Sequence, residues 1–242
     1  SDSGIPFLED LIAMWLFNEP LDAEATLVDS SGNGYSGTLA SATRIAGRRG
    51  NALDFEVDNA HVTIEGFPAF GLGSSLTFSV WYQARSYDSG AGGGNTLAHL
   101  ARSAGDYNVD IRFNQGRLQF LFLNESLSSA GVWQSDETYT IPVPDPDAGL
   151  DSAPWHKLDI AFTYGDTSSF RAYRDGTPIA GSWGETDGSA APYVPTEAFL
   201  TIGAYKQGGD HSQEFDGVMD DVRLYDRALS EAELLDLFDD EL

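Results

Sequence analysis

The residues best placed to hold a cation are the oxygen-rich turn Asp29-Ser30-Ser31-Gly32-Asn33-Gly34. Asp and Asn side chains, with carbonyls freed from a strand ladder, suit Ca²⁺. The same residues also make an ordinary turn, in which Asn33-Gly34 adopts the positive φ values and Asp29 caps an amide. Near the other end of the chain, period-two alternation over Val218 to Tyr225 puts Asp220 on one face with Val218, Val222 and Leu224. A carboxylate among apolar residues is costly unless it is paired or metal-bound. A salt bridge to a buried Arg is the competing explanation. Asp221 shares the other face with Arg223 and reads as its ion-pair partner. A second acidic loop, Asp145-Pro146-Asp147-Ala148-Gly149-Leu150-Asp151, lacks the closing Glu of a calcium loop and reads as a solvated turn.

Groups that could bind a sugar are easier to find than groups that could cleave one. Aromatic rings stack on the apolar faces of sugars, while amide, acid and Arg side chains meet the hydroxyls. The loop candidates are Tyr87, Trp133, Tyr139, Trp183, Tyr193, Tyr205 and His211. Trp133, among Ser, Gly and Gln in the long segment Asn124 to Asp136, leads them; a Trp plugging the edge of the fold is the alternative. Trp15, Trp81 and Trp155 lie in strand-like runs and are expected in the core. The four histidines, His61, His99, His156 and His211, form no metal-spaced pair, and neither a serine elbow nor a phosphate-cradling loop is present.

The elements that must position these groups are strands. Leu76 to Tyr82 is β-branched and aromatic. Asn108 to Phe113 and Arg117 to Leu123 flank Asn114-Gln115-Gly116, a tight hairpin signal. Trp155 to Tyr164 and Phe170 to Arg174 read as a pair joined through Gly165 to Ser169, with a turn at Asp175-Gly176; Phe199 to Tyr205 and Phe215 to Tyr225 complete the set. Only the tail reads as helical: Ser230-Glu231-Ala232-Glu233 is a capping box, followed by the stripe Leu234, Leu235, Leu237 and Phe238. Many strands and one terminal helical turn argue for a single all-β sandwich or jelly roll over residues 1–242.

Composition bounds the partners. The chain has 242 residues, 41% of them hydrophobic, and a formal net charge of -25. That field repels nucleic acid and anionic membranes, and weighs against a polyanionic glycan. There is no cysteine, hence neither a disulfide framework nor a thiolate metal site. No run reaches the length of a membrane span. Ser1 to Asp10 carries no leader pattern and reads as the start of a trimmed or mature chain.

Four segments in order, Asp29 to Leu39, Gly47 to Phe55 with His61 to Ile64, Trp155 to Gly176, and Phe215 to Ser230, resemble the laminin G-like branch of the concanavalin A-like lectin and glucanase superfamily. The resemblance implies a jelly roll of two antiparallel sheets and a structural calcium between the first loop and the acidic pair of the last strand; Asp29, Asn33 and Asp220 are the expected ligands. It also implies a secreted or cell-surface protein. The glucanase branch carries Glu-x-Asp-x-x-Glu on one strand. Here Glu56-Val57-Asp58, Glu185-Thr186-Asp187 and Glu214-Phe215-Asp216 each lack the third acid. The alginate-lyase branch is loosely similar at Ile202 to Gln207, without its Arg-rich strand or its Gln-x-His motif. The reading is a non-catalytic lectin-like module of a larger protein, binding a polysaccharide through Trp133, Tyr139, Trp183, Tyr205 and His211. A glycan-cleaving enzyme and an adhesin spacer or protein-binding module are the alternatives.

Overall fold

The computed structural model describes residues 7–56, 58–67, 75–87, 95–101, 107–123, 130–140, 153–184, 188–189, 198–207 and 210–239. The strands, in chain order, are β1 Leu11–Trp15, β2 Thr26–Leu27, β3 Gly37–Ala40, β4 Thr43–Ala46, β5 Asn51–Asp54, β6 His61–Phe67, β7 Ser75–Ala84, β8 Asn95–Ala101, β9 Tyr107–Asn114 and β10 Arg117–Leu123. They continue with β11 Ala130–Ser135, β12 His156–Thr163, β13 Asp166–Arg174, β14 Thr177–Pro178, β15 Gly181–Trp183, β16 Ala198–Ile202, β17 Tyr205–Gln207, β18 Asp210–Ser212 and β19 Gly217–Tyr225; helix α1 is Glu231–Asp239.

Two antiparallel sheets carry the architecture. The eight-stranded sheet runs β14-β13-β12-β7-β19-β5-β4, with β1 also on β19; the nine-stranded sheet runs β15-β11-β10-β9-β8-β16-β6-β3-β2. The main core lies between them, built by alternate side chains such as Phe78, Val80 and Tyr82 of one sheet and Val109, Ile111, Phe113, Phe120 and Phe122 of the other. Strands β17 and β18 form a separate two-stranded hairpin.

The outer face of the eight-stranded sheet is covered too. Leu11, Met14, Tyr173 and Tyr225 form a second cluster with Leu229, Leu234 and Leu237 beneath α1. The Thr77 hydroxyl fastens the approach to the helix, donating to the Arg227 carbonyl at 2.7 Å and accepting from the Leu229 amide at 2.9 Å. The expected capping box forms, with the Ser230 amide donating to Glu233 at 2.8 Å. Lys157, fully buried, donates to the Leu237 carbonyl in the last turn at 2.9 Å and lies 3.6 Å from Asp159. A cation at a helix C-terminus is favoured by the exposed carbonyl ends there. No helix among the described residues is long and apolar enough to cross a membrane.

Three details differ from the sequence expectations. The β12–β13 turn is only Tyr164-Gly165, and Asp166 to Ser169 extends the strand instead of looping. Trp133 lies on strand β11, paired with β10 and β15, and not in a loop. Strand β19 carries a bulge between Asp220 and Arg223, with Asp221 at φ 49. The extra residue resets the alternation. Met219, Val222 and Leu224 therefore face the core, whereas Asp220, opposite Trp81, turns to the outer face. The strict alternation expected for Val218, Asp220, Val222 and Leu224 does not hold.

Candidate functional site

The sequence of β9, and the start of β10 from Arg117 to Phe120, alternates apolar and polar residues. Apolar positions feed the core, so Asp110, Arg112, Gln119 and their neighbours must stand on the outer face of the nine-stranded sheet. Register then assembles residues far apart in the chain into two rows. The first row crosses four strands: Gln134 opposite Gln119, Gln119 opposite Arg112, and Arg112 opposite Thr96. The second places Asp110 opposite His99, His99 opposite Thr201, and Thr201 opposite Thr63.

The first row is a hydrogen-bonded strip. Gln119 Nε2 donates to Gln134 Oε1 at 2.7 Å, and Arg112 Nε donates to Gln119 Oε1 at 3.0 Å. Asn114 donates to the same oxygen at 3.3 Å, while Arg112 Nη1 reaches Gln213 Oε1 at 3.1 Å. The amides and guanidinium orient one another; Arg112 and Gln134 are half-buried, and Gln119 between them is buried at 8% exposure. The second row lies deeper. His99 is fully buried and Asp110 nearly so, with Asp110 3.5 Å from His99 Nδ1 and 3.4 Å from Arg112 Nη1. The hydroxyls of Thr96 and Thr201 are buried with no hydrogen-bond partner among the described residues.

The β17–β18 hairpin roofs the second row. The Tyr205 ring sits 4.3 Å from that of His99, and His211 stacks on His61 at 3.5 Å. Lys206 lies over the Phe199 ring at 4.3 Å. Burial, then the neighbouring His61 and Lys206, push His211 down to about 4. Burial also lowers His61, against the pull of the Asn59 carbonyl. Both shifts favour the neutral ring, and neutral imidazoles stack without charge repulsion.

The sequence-expected ligand residues divide. Tyr205, itself buried at 8% exposure, and His211 lie on opposite strands of this hairpin. Trp133 and Tyr139 belong to the main core, at 4% and 6% exposure, and Trp183 packs against it half-buried. Trp133 is packed on Phe170 at 4.4 Å and buried, so it is not the exposed loop platform expected for it; its residue type is apolar enough to bury once it lies on a strand. Of the remaining aromatics, Tyr87 and Trp15 are in the core, Trp81 packs on Phe238 on the outer face, Trp155 is half-buried just before β12, and Tyr193 lies outside the described residues. The loop Asp145 to Asp151 is also outside them. Sequence reasoning passed over Arg112, Gln119, Gln134 and Gln213. For Arg112 and Gln119 the signal was the polar alternation of β9 and of the start of β10; Gln134 and Gln213 join them only through register and folding.

The expected calcium ligands each have partners within the protein. Asp29 Oδ1 accepts from the Met14 amide at 3.1 Å and the Ser31 amide at 2.9 Å, and Oδ2 accepts from the Tyr35 amide at 2.9 Å. Burial acts to raise its pKa, but these bonds together hold it below the usual range. Asn33 Nδ2 donates to the Leu11 and Ile12 carbonyls at 3.0 and 2.9 Å, fastening the loop to β1, and the positive φ values fall on Gly32 and Gly34. Asp220, only 2% exposed, accepts from the Arg49 amide at 3.1 Å at the β4–β5 turn. Burial pushes it up to about 7, against the amide's effect. Asp29 and Asn33 thus engage β1, while Asp220 engages the β4–β5 turn. No group of three or more His, Cys, Asp or Glu among the described residues could hold a metal ion. Asp221, next to Asp220, pairs with Arg223 through bonds of 2.7 and 2.6 Å.

The laminin G-like family model, described as the concanavalin A-like lectin/glucanases superfamily, matches residues 55–235. The chain belongs to that superfamily. Its members' sandwich is recognisable in solved structures at low identity. The binding domain of Paraclostridial Mosquitocidal Protein 1 superposes with a TM-score of 0.66 at 15% identity, covering 96% of this chain and 52% of that one. Domain 4 of AbnA, a GH43 extracellular arabinanase from Geobacillus stearothermophilus solved with arabinotriose, gives 0.62 at 17%, covering 94% and 98%. A botulinum neurotoxin type C structure, described for its interaction with two ganglioside molecules, gives 0.65 at 14%, covering 97% and 52%. The chain thus spans about half the length of the toxin chains and nearly all of the arabinanase domain. These likenesses establish the fold. No curated protein sequence matches the chain.

Proposed function

We propose that this superfamily member is a lectin-like module that binds a polysaccharide across the Gln134–Gln119–Arg112 strip, flanked by Tyr205 and His211. The observation that carries the reading is the cross-strand network itself: amides and a guanidinium, mutually oriented, on the outer face of a rigid sheet. Sugar hydroxyls both donate and accept, so a surface holding amide oxygens, amide N–H groups and an Arg fork meets them in both roles. Binding suits this geometry better than cleavage. Glycoside hydrolysis needs two carboxyls reaching the scissile bond, whereas Asp110 is buried and ion-paired beneath the strip. The glycan-bound arabinanase domain and the ganglioside-interacting toxin add support at the level of the fold. The module belongs, in this reading, to a larger secreted or cell-surface protein. Calcium enters it only as a stabiliser beside Asp220, a buried carboxylate that burial pushes toward its neutral form; a bound cation there would favour the ionised form.

The test is a pull-down with insoluble polysaccharides and a glycan array, on the parent and on Arg112→Ala with folding checked by circular dichroism. Retention lost in the variant supports the strip; equal retention removes it.

A further inference from the structure

Where β13 and β14 of one sheet face β11 and β15 of the other, the sandwich edge opens into a groove of about 480 Å³. Its floor is the half-buried pair Phe170 and Ile179, resting on the buried Trp133. Its rim carries Asp136, just after β11, Arg171 on β13, and Glu231, the first residue of α1. We propose that this groove is a second saccharide site, taking the terminal unit of a neutral oligosaccharide. It lies on a different part of the fold from the glutamine–arginine strip and does not depend on that reading.

Its volume lies within the range of small-molecule sites, which combine an apolar floor with a few converging polar groups. The floor is preformed. Trp133 is held between Phe170, 4.4 Å away, and Gly181, where an added Cβ would collide with the indole. A rigid floor loses little freedom when a ligand docks. The rim decides the ligand class. Arg171 Nη1 donates to the Ser169 carbonyl at 2.6 Å, which anchors one side of the guanidinium beside the groove. Two carboxylates accept and one guanidinium donates; a hydroxyl does both, so a polyol satisfies all three. An acidic sugar would meet two like charges against one opposite charge.

The experiment is ¹H–¹⁵N NMR titration of the protein with arabinotriose, xylotriose, cellotriose and mannotriose in turn. At least one should give saturable shifts at the amides of Asp136, Phe170 to Tyr173 and Ile179 to Gly181. Asp136→Asn and Arg171→Ala should each weaken that affinity about tenfold, leaving any shifts at Gln119 and Gln134 unchanged. The proposal is overturned by silence at the groove with all four sugars at about 20 mM, well above the millimolar range of a single-sugar site. Shifts confined to the strip, or groove affinity unchanged in both variants, overturn it as well.

Discussion

Asp220→Asn should stabilise the protein above neutral pH and leave it unchanged in acid. Asp220 is 2% exposed on the outer face of β19, and burial, opposed by the Arg49 amide, raises it from 3.8 to about 7. A carboxyl raised in the folded state binds its proton more tightly there than in the unfolded chain. Stability therefore falls as pH climbs from about 4 to 7 and is flat beyond that window. The full shift, at about 1.4 kcal/mol per unit, caps the effect near 4 kcal/mol, and relaxation of the Arg48-Arg49 turn brings the working figure to roughly 2–4 kcal/mol. Asn keeps an oxygen for the Arg49 amide and has no charge to lose. Thermal unfolding of parent and variant in EDTA, from about pH 4 to pH 8, reads the difference directly; for a chain of this size each kcal/mol is worth about 2–4 °C. Curves that stay parallel across the window would refute the reasoning. Repeating the scan with calcium tests the stabiliser: the parent gains at high pH and the variant does not.

Trp133→Ala should cost about 3–5 kcal/mol by opening a core cavity, read by urea unfolding; a fully stable variant would contradict its burial. Lys157→Met should cost about 3–5 kcal/mol, because Asp159 loses a buried partner and α1 loses the donor to its last turn; chemical denaturation measures it, and a neutral result would remove the helix anchor. His211, lowered from 6.5 to about 4, binds fewer protons folded than unfolded, so stability falls as pH drops through that window. A His211→Phe variant, which keeps a ring to stack on His61, should show a shallower acid limb in thermal scans; an identical limb would place the pH dependence elsewhere.

Much of the fold was legible because local chemistry and long-range packing agree. Gln115-Gly116 and Asp175-Gly176 adopt the positive φ values that their turns require, and the Ser230–Glu233 box starts helix α1. The site was less legible for a physical reason. The strip draws on residues from Arg112 to Gln213, and only sheet register makes them neighbours. Asp220 was misassigned to the core side because one bulge shifts the alternation by a residue, and bulges leave little trace in a sequence. Trp133 looked like a loop residue because the polar Ser, Gly and Gln around it hide a strand that pairs on both sides. The Asp29 turn was readable as an amide cap from the start, and three backbone N–H groups fill that role.

The most direct test of the central claim is retention on a panel of polysaccharides, with soluble sugars assayed in the same wells, for the parent and for a folded Arg112→Ala, Gln119→Ala double variant. The account predicts that the parent is retained by at least one polysaccharide, releases no sugar, and loses retention in the variant. Release of product, or retention that survives loss of both side chains, would contradict it.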